Sequence, residues 1–218
     1  MSSPQDETLN QVVEGIIQAR MLMPQGWRGV HALDGAPCVS NGAVALFWER
    51  DIDGLPEYEP APVVETLRVF ARQSRQGREA GTWPIDLPSS TCDTCAGAGK
   101  RPLMKSCSYC GGEGVCECPT CGSEHECGEC DGSGDSREPS GETAACGVCK
   151  GLGRVFVPVR VAGTQIDGFY AHLLGQLPGI VPVASTEPPV GGAPYLSFRF
   201  SGGCGTVMEF SRGDSHEQ

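Results

Sequence analysis

One eight-residue phrase, Cys-x-x-Cys-x-Gly-x-Gly, occurs four times between residues 92 and 153. It reads Cys92-Asp-Thr-Cys95-Ala-Gly-Ala-Gly99, then Cys107-Ser-Tyr-Cys110-Gly-Gly-Glu-Gly114. It returns as Cys127-Gly-Glu-Cys130-Asp-Gly-Ser-Gly134 and Cys146-Gly-Val-Cys149-Lys-Gly-Leu-Gly153. A Cys-x-x-Cys turn presents two thiolates to one tetrahedral metal, at Zn–S of about 2.3 Å, so two such turns close one four-cysteine site. The glycines have a separate reason. A chain wound tightly around a metal needs residues tolerant of positive φ, and its backbone N–H groups must come close to the sulfurs. Four cysteine pairs therefore imply two structural zinc ions, Zn(2+), per chain.

Thirteen cysteines in 218 residues suggest disulfides if the protein is secreted. The first residues, Met-Ser-Ser-Pro-Gln-Asp-Glu, carry no signal-like apolar core, and no apolar run approaches the ~18–20 residues of a membrane helix. A reducing compartment with zinc-bound thiolates is the expected setting, hence the cytoplasm and no membrane. The net charge of -11 argues against a nucleic-acid coat or a binder of anionic lipid. Within residues 91–153, five Lys and Arg face ten Asp and Glu, and no basic helical pattern occurs. That balance argues against DNA recognition by the cysteine-rich segment.

The flanks read differently. Leu9, Val12, Val13, Ile16, Ile17 and Met21 stand at helical spacing, predicting an amphipathic helix over 8–22. Extended stretches at 30–33, 37–40 and 43–49, punctuated by Asp34-Gly35 and Asn41-Gly42, predict a small antiparallel meander. A second helix is expected over 60–75, then a linker from Gln76 to Ser90. Beyond the repeats, a strand is expected over 155–161. A short helix carrying Ile166, Phe169, Leu173, Leu174 and Leu177 follows, then strands at 180–184, 195–200 and 206–210. The order is that of an α+β fold, an antiparallel sheet with helices on one face, interrupted by a zinc-bound cysteine-rich β-hairpin insert. The expected divisions are 1–90 and 155–211 as the two halves of the α+β domain, 91–154 as the insert and 212–218 as a disordered tail.

The four repeats resemble the cysteine-rich zinc domain of DnaJ-type co-chaperones. That resemblance implies that the first repeat pairs with the fourth and the second with the third. One zinc would then be held by Cys92, Cys95, Cys146 and Cys149, the other by Cys107, Cys110, Cys127 and Cys130. It also implies binding of an unfolded or assembling protein. No His-Pro-Asp tripeptide occurs, so no J-domain function is carried over. A fainter resemblance, in Val157–Ala162, Phe169–Gly179 and Tyr195–Phe210, is to one domain of the bacterial DNA polymerase sliding clamp. It implies a clamp-like replication or repair factor, of a kind that a phage or mobile element could encode. A bacterial clamp protomer has three such domains, and this chain has room for one.

Cys116, Cys118, Cys121 and His125 lie between the second and third repeats. Their spacing fits a third zinc held by three thiolates and an imidazole. It also fits an exposed redox pair at Cys118 and Cys121, as in a thiol–disulfide enzyme, or a hairpin tip without chemistry. Gly97-Ala-Gly-Lys100 lacks the first glycine and the hydroxyl residue of a phosphate loop and is rejected as one. Arg68, Arg72 and Arg75 share a helix face, either solvated or, with Arg78 nearby, turned to an anionic partner. His31, His172, Cys38 and Cys204 show no spacing of nucleophile and base. Asp51, Asp53, Glu57 and Glu59 sit in a Pro/Gly-rich loop. The reading is therefore a non-enzymatic zinc-binding module with a protein partner, of unassigned oligomeric state.

Overall fold

The computed structural model describes residues 4–19, 29–48, 59–60, 64–118, 120–184 and 194–210. Met21, Asp51, Asp53, Glu57, most of the loop 185–194 and the tail 212–218 lie outside them. The chain divides into two compact units, one built from the residues before Thr91 and after Val155, the other from Thr91–Val155.

Helix α1 (Pro4–Gln18) buries Leu9, Val12, Val13 and Ile16, the stripe that its periodicity marks. Strands β1 (Gly29–Leu33), β2 (Ala36–Ser40) and β3 (Val44–Trp48) form the meander. Asp34 and Gly35 turn the first hairpin with φ of 53° and 80°, the paired positive values of a tight two-residue turn. Asn41 does more than turn the second. Fully buried, its Oδ1 accepts from the N–H groups of Ala43 and Val44, and its Nδ2 donates to the Ile16 carbonyl and the Tyr170 hydroxyl. Every polar valence of the amide is thereby used, as burial demands.

After β4 (Glu59–Pro60) come helix α2 (Val64–Gln76) and β5 (Arg78–Glu79). In the cysteine-rich unit, or at its ends, lie β6 (Ser89–Thr91), β7 (Lys100–Ser106), β8 (Val115–Glu117), β9 (Glu124–Glu126), β10 (Asp135–Ala145) and β11 (Arg154–Phe156). The chain then forms β12 (Val159–Val161), β13 (Thr164–Ile166), helix α3 (Gly168–Leu174), β14 (Val181–Ala184), β15 (Tyr195–Phe200) and β16 (Gly203–Met208). An eight-stranded sheet runs in the order β4-β1-β2-β3-β16-β15-β14-β5. Its neighbours pair antiparallel except β1 and β4, which are parallel. The β3–β16 pair, from Gly203↔Trp48 to Val207↔Val44, is a central seam between the chain's two flanking segments, which also meet at the edge through β5 and β14.

Helices on one face of the sheet were the expectation, and the structure corrects it. Val44, Leu46 and Trp48 of β3 join Leu196, Phe198 and Phe200 of β15 in a core with α1 and α3. Ala45 and Phe47, on the opposite face of β3, pack with Leu67, Phe70 and Ala71 of α2. A strand apolar on both faces needs cover on both, and β3 is buried at all five positions.

The linker expected from Gln76 to Ser90 is also corrected. It supplies β5, paired with β14 at the sheet edge, and the buried Trp83. That indole stands edge-on to Phe198 at 5.5 Å and donates to the Ala171 carbonyl at 3.0 Å. The strand expected over 155–161 is broken, because Pro158 lacks the N–H to continue a ladder. The second piece, β12, turns through Ala162 and Gly163, both at positive φ, into β13. Ile166 therefore ends a strand rather than sharing the α3 face, and Asp167 caps α3 by accepting from the Phe169 N–H.

Candidate metal centres

Each repeat folds as one small unit. In the first, the carbonyl of Cys92 accepts from the N–H of Gly97, and the Gly99 N–H points at Cys95 Sγ, 3.3 Å away. The same N–H to sulfur contact recurs from Gly114 to Cys110, Gly134 to Cys130 and Gly153 to Cys149. A thiolate that accepts such a bond is favoured over the thiol.

The repeats then close in pairs. The N–H of Cys92 donates to the Gly153 carbonyl and that of Cys146 to the Gly99 carbonyl, at 2.9 and 2.8 Å. Cys107 donates to Gly134 and Cys127 to Gly114 in the same reciprocal way. The last glycine of each repeat is where this fit is tightest. Gly99, at φ +71°, would place a Cβ 2.3 Å from the Gly151 carbonyl oxygen, and Gly153, at φ +72°, one 2.3 Å from that of Gly97.

Eight sulfurs come together as two tetrads, Cys92/Cys95/Cys146/Cys149 and Cys107/Cys110/Cys127/Cys130, with the ligand atoms of each within 4.8 Å of one another. Across the repeats, Sγ–Sγ separations are 3.9 Å for Cys92–Cys146 and 3.7 Å for Cys95–Cys149. In the second tetrad they are 3.9 Å for Cys107–Cys127 and 3.8 Å for Cys110–Cys130. A zinc ion bonded to four sulfurs at about 2.3 Å spans a tetrahedron with an edge of about 3.8 Å. A disulfide needs sulfurs roughly 2.0 Å apart. The separations thus fit a tetrahedral thiolate-held metal and support two zinc sites. Apart from Val155, the buried clusters of this unit and the residues packed on them are all cysteines, so metal takes the place of an apolar core.

The thiols of each tetrad are driven apart in acidity. The Cys149 N–H draws Cys146 down to about 7, while burial pushes Cys149 up to about 11. In the other tetrad burial opposes, but the N–H groups of Gly114 and Gly112 outweigh it and bring Cys110 to about 7. Burial also pushes Cys130 up to about 11. Metal binds the thiolate, so Cys130 and Cys149, protonated at pH 8, must each give up a proton on loading. Affinity should rise with pH from 7 towards 11, and fall more steeply below 7 where Cys110 and Cys146 also protonate. Calorimetric titration of metal-depleted protein at pH 8, in buffers of differing ionisation enthalpy, should show at least one proton released per metal; no release would contradict it.

Cys116, Cys118, Cys121 and His125 do not form a third such group among the described residues. Cys116 packs against the Cys107 tetrad and pairs across strands with His125, while Cys121 is exposed. Cys38 and Cys204 are buried in the sheet, with the Cys38 thiol pushed by burial to about 12. His31 is buried on β1, and His172 stacks on Phe156 at 4.3 Å. Arg68 is held by Asp34 and Glu65. Arg72 and Arg75 border a concavity of about 320 Å³ floored by Leu33, Pro37 and Phe47.

Sequence reasoning missed the residue after each second cysteine. Ala96, Asp131 and Lys150 take φ of 49–51°, and Gly111 the same region at 67°. Only one of the four is glycine, so residue type gave no signal; its regular place in the repeat is the signal that could have found it.

No helix among the described residues is long and apolar enough to cross a membrane. Comparison with protein-family models, with curated proteins and with solved structures returns no match to this chain. What the geometry supports is a metal-binding module of two four-cysteine clusters, carried by a chain whose other unit is, among the described residues, a mostly antiparallel sheet with three helices.

Proposed function

We propose that this chain is a non-enzymatic, zinc-stabilised protein-interaction module that holds an unfolded or assembling protein in a reducing compartment such as the cytoplasm. Zinc is the metal of this reading because four thiolates in a tetrahedron are its usual structural site. The observation that carries the reading is the apolar surface left open on a unit whose interior is metal and sulfur. Tyr109 is 72% exposed and Val148 57%, each inside a Cys-x-x-Cys turn. Leu103, Met104, Val115 and Leu152 are exposed beside them in sequence. Large side chains fixed by a rigid turn lose little entropy on contact, which suits them to binding an extended apolar chain. The resemblance of the repeats to the zinc domain of DnaJ-type co-chaperones supports the same reading.

The test uses zinc-loaded protein and a reduced, carboxymethylated polypeptide that cannot refold. Binding is expected, and Tyr109→Ser with Val148→Ser should weaken it by about tenfold, or 1.4 kcal/mol, while zinc content stays unchanged. Failure of the unsubstituted protein to bind the polypeptide, or to slow its aggregation, would overturn the proposal.

A further inference from the structure

Eight of the thirteen cysteines form the tetrads, and Cys38, Cys204 and Cys116 are packed against other groups. Cys118 and Cys121 remain, at the tip of the β8–β9 hairpin. Cys121 is the one cysteine of the chain with an exposed side chain. The Gly122 N–H donates to the Cys118 carbonyl at 2.9 Å, and the Cys118 N–H to the Ser123 carbonyl at 2.9 Å. The Cys118 thiol is also a hydrogen-bond partner of the Cys121 thiol, so the two sulfurs are neighbours, as an internal disulfide requires.

Cys121 Sγ lies 3.0 Å from the Ser123 hydroxyl. Donation from that hydroxyl, with the Ser123 N–H behind it, holds the thiol below its ordinary value. Glu117 and Glu124 pair across the hairpin, and Glu126 faces Val115. Neither Lys nor Arg occurs between Lys105 and Arg137. The tip is therefore accessible, spaced for an internal disulfide and negatively charged.

We propose that Cys118 and Cys121 form a thiol–disulfide exchange site, separate from the metal tetrads, which reduces an exposed disulfide carried by a cationic partner. The Cys121 thiolate attacks one sulfur of the partner's disulfide. That S–S bond breaks, a Cys121–partner bond forms, and the second partner sulfur leaves as a thiolate that takes a proton from water. Cys118 then loses its proton to solvent and attacks Cys121 Sγ. The mixed disulfide breaks and the second partner thiol is released. Two electrons and two protons pass to the partner, whose disulfide becomes two thiols while Cys118 and Cys121 become one disulfide. Acidic side chains around the tip attract a positively charged disulfide and repel a negative one. The site goes beyond the binding role proposed above and does not depend on it.

The test starts from protein carrying both metals and offers cystamine, a cationic disulfide, or oxidised glutathione, an anionic one, without oxygen. Peptide mapping should place the new disulfide between Cys118 and Cys121 with the metal content unchanged. Cys118→Ser should accumulate a mixed disulfide at Cys121, and Cys121→Ser should react at least about tenfold more slowly. Cystamine should react several-fold faster than oxidised glutathione at low ionic strength, with the difference shrinking in high salt. Disulfides mapped to the tetrads with loss of metal would overturn the site. So would a third metal equivalent that leaves the pair inert, or a Cys121→Ser rate equal to that of the parent. Equal rates for the two disulfides at low salt would overturn the cationic partner.

Discussion

Cys146→Ser is expected to cut the metal content from two equivalents to one and to open the cysteine-rich unit to protease along residues 91–153. A serine hydroxyl does not replace a thiolate on zinc, and the lost site is the one between Cys92 and Cys149, where the chain enters and leaves the unit. Structural zinc supplies about 10–16 kcal/mol in small peptides. Cys127→Ser should also lose one metal, but from the tetrad formed by the second and third repeats. Cleavage should then concentrate within residues 107–134, with the flanking repeats protected. Elemental analysis and mapped limited proteolysis separate the two outcomes. If Cys146→Ser exposed only the segment between the inner repeats, or either variant kept both metals, the nested pairing would be wrong.

The second large effect needs no cysteine. Gly99→Ala should weaken metal at the Cys92 tetrad by about a hundredfold or more. The added Cβ would lie 2.3 Å from the Gly151 carbonyl oxygen, with φ at +71°. A left-handed alanine costs roughly 1–2 kcal/mol. The two hydrogen bonds at this residue, one to sulfur and one from Cys146, contribute about 1 kcal/mol apiece. Gly111→Ala is the control. It also has positive φ, but a Cβ there meets nothing within 4 Å, and alanine already stands at the equivalent Ala96 with φ 49°. Metal content in Gly111→Ala should match the parent, and affinity should fall by no more than the roughly 1–2 kcal/mol of a left-handed alanine, about five- to thirtyfold. Equal loss in both variants would mean that backbone conformation, not the contact between repeats, sets the effect.

The metal ligands were legible in the amino-acid sequence because cysteine spacing and trailing glycine answer to a local, stereochemically narrow demand. The partner of each repeat came from resemblance, since all four repeats are alike in the ligands they offer. The meander was legible because Asp34-Gly35 needs two positive φ values that few other pairs adopt. Trp83 was not, because its neighbours Gly81 and Pro84 mark a loop, and only the tertiary pocket at Phe198 and Ala171 gives it a place. The covering of both sheet faces was hidden for a related reason. Ala45 and Cys38 are small, and the apolar character of the second face emerges only when Phe47, Cys204 and α2 are brought together. His31, His172 and Cys38 looked chemically empty in sequence, and their burial or stacking is consistent with packing.

The seam between β3 and β16 sets a waiting time during synthesis. About 160 residues separate the ends of these strands. At the usual elongation rate of about 5–20 residues per second, the ribosome takes about 8–30 s to deliver the second after the first. Throughout that interval one edge of β3 lacks its neighbour, and the Phe198 side of the core has not been made. The cysteine-rich unit emerges in the middle of it and can close on metal using only its own residues. A nascent chain therefore carries a finished metal module behind an unfinished sheet, and its vulnerability to aggregation is concentrated in the N-terminal segment until Met208 clears the exit tunnel.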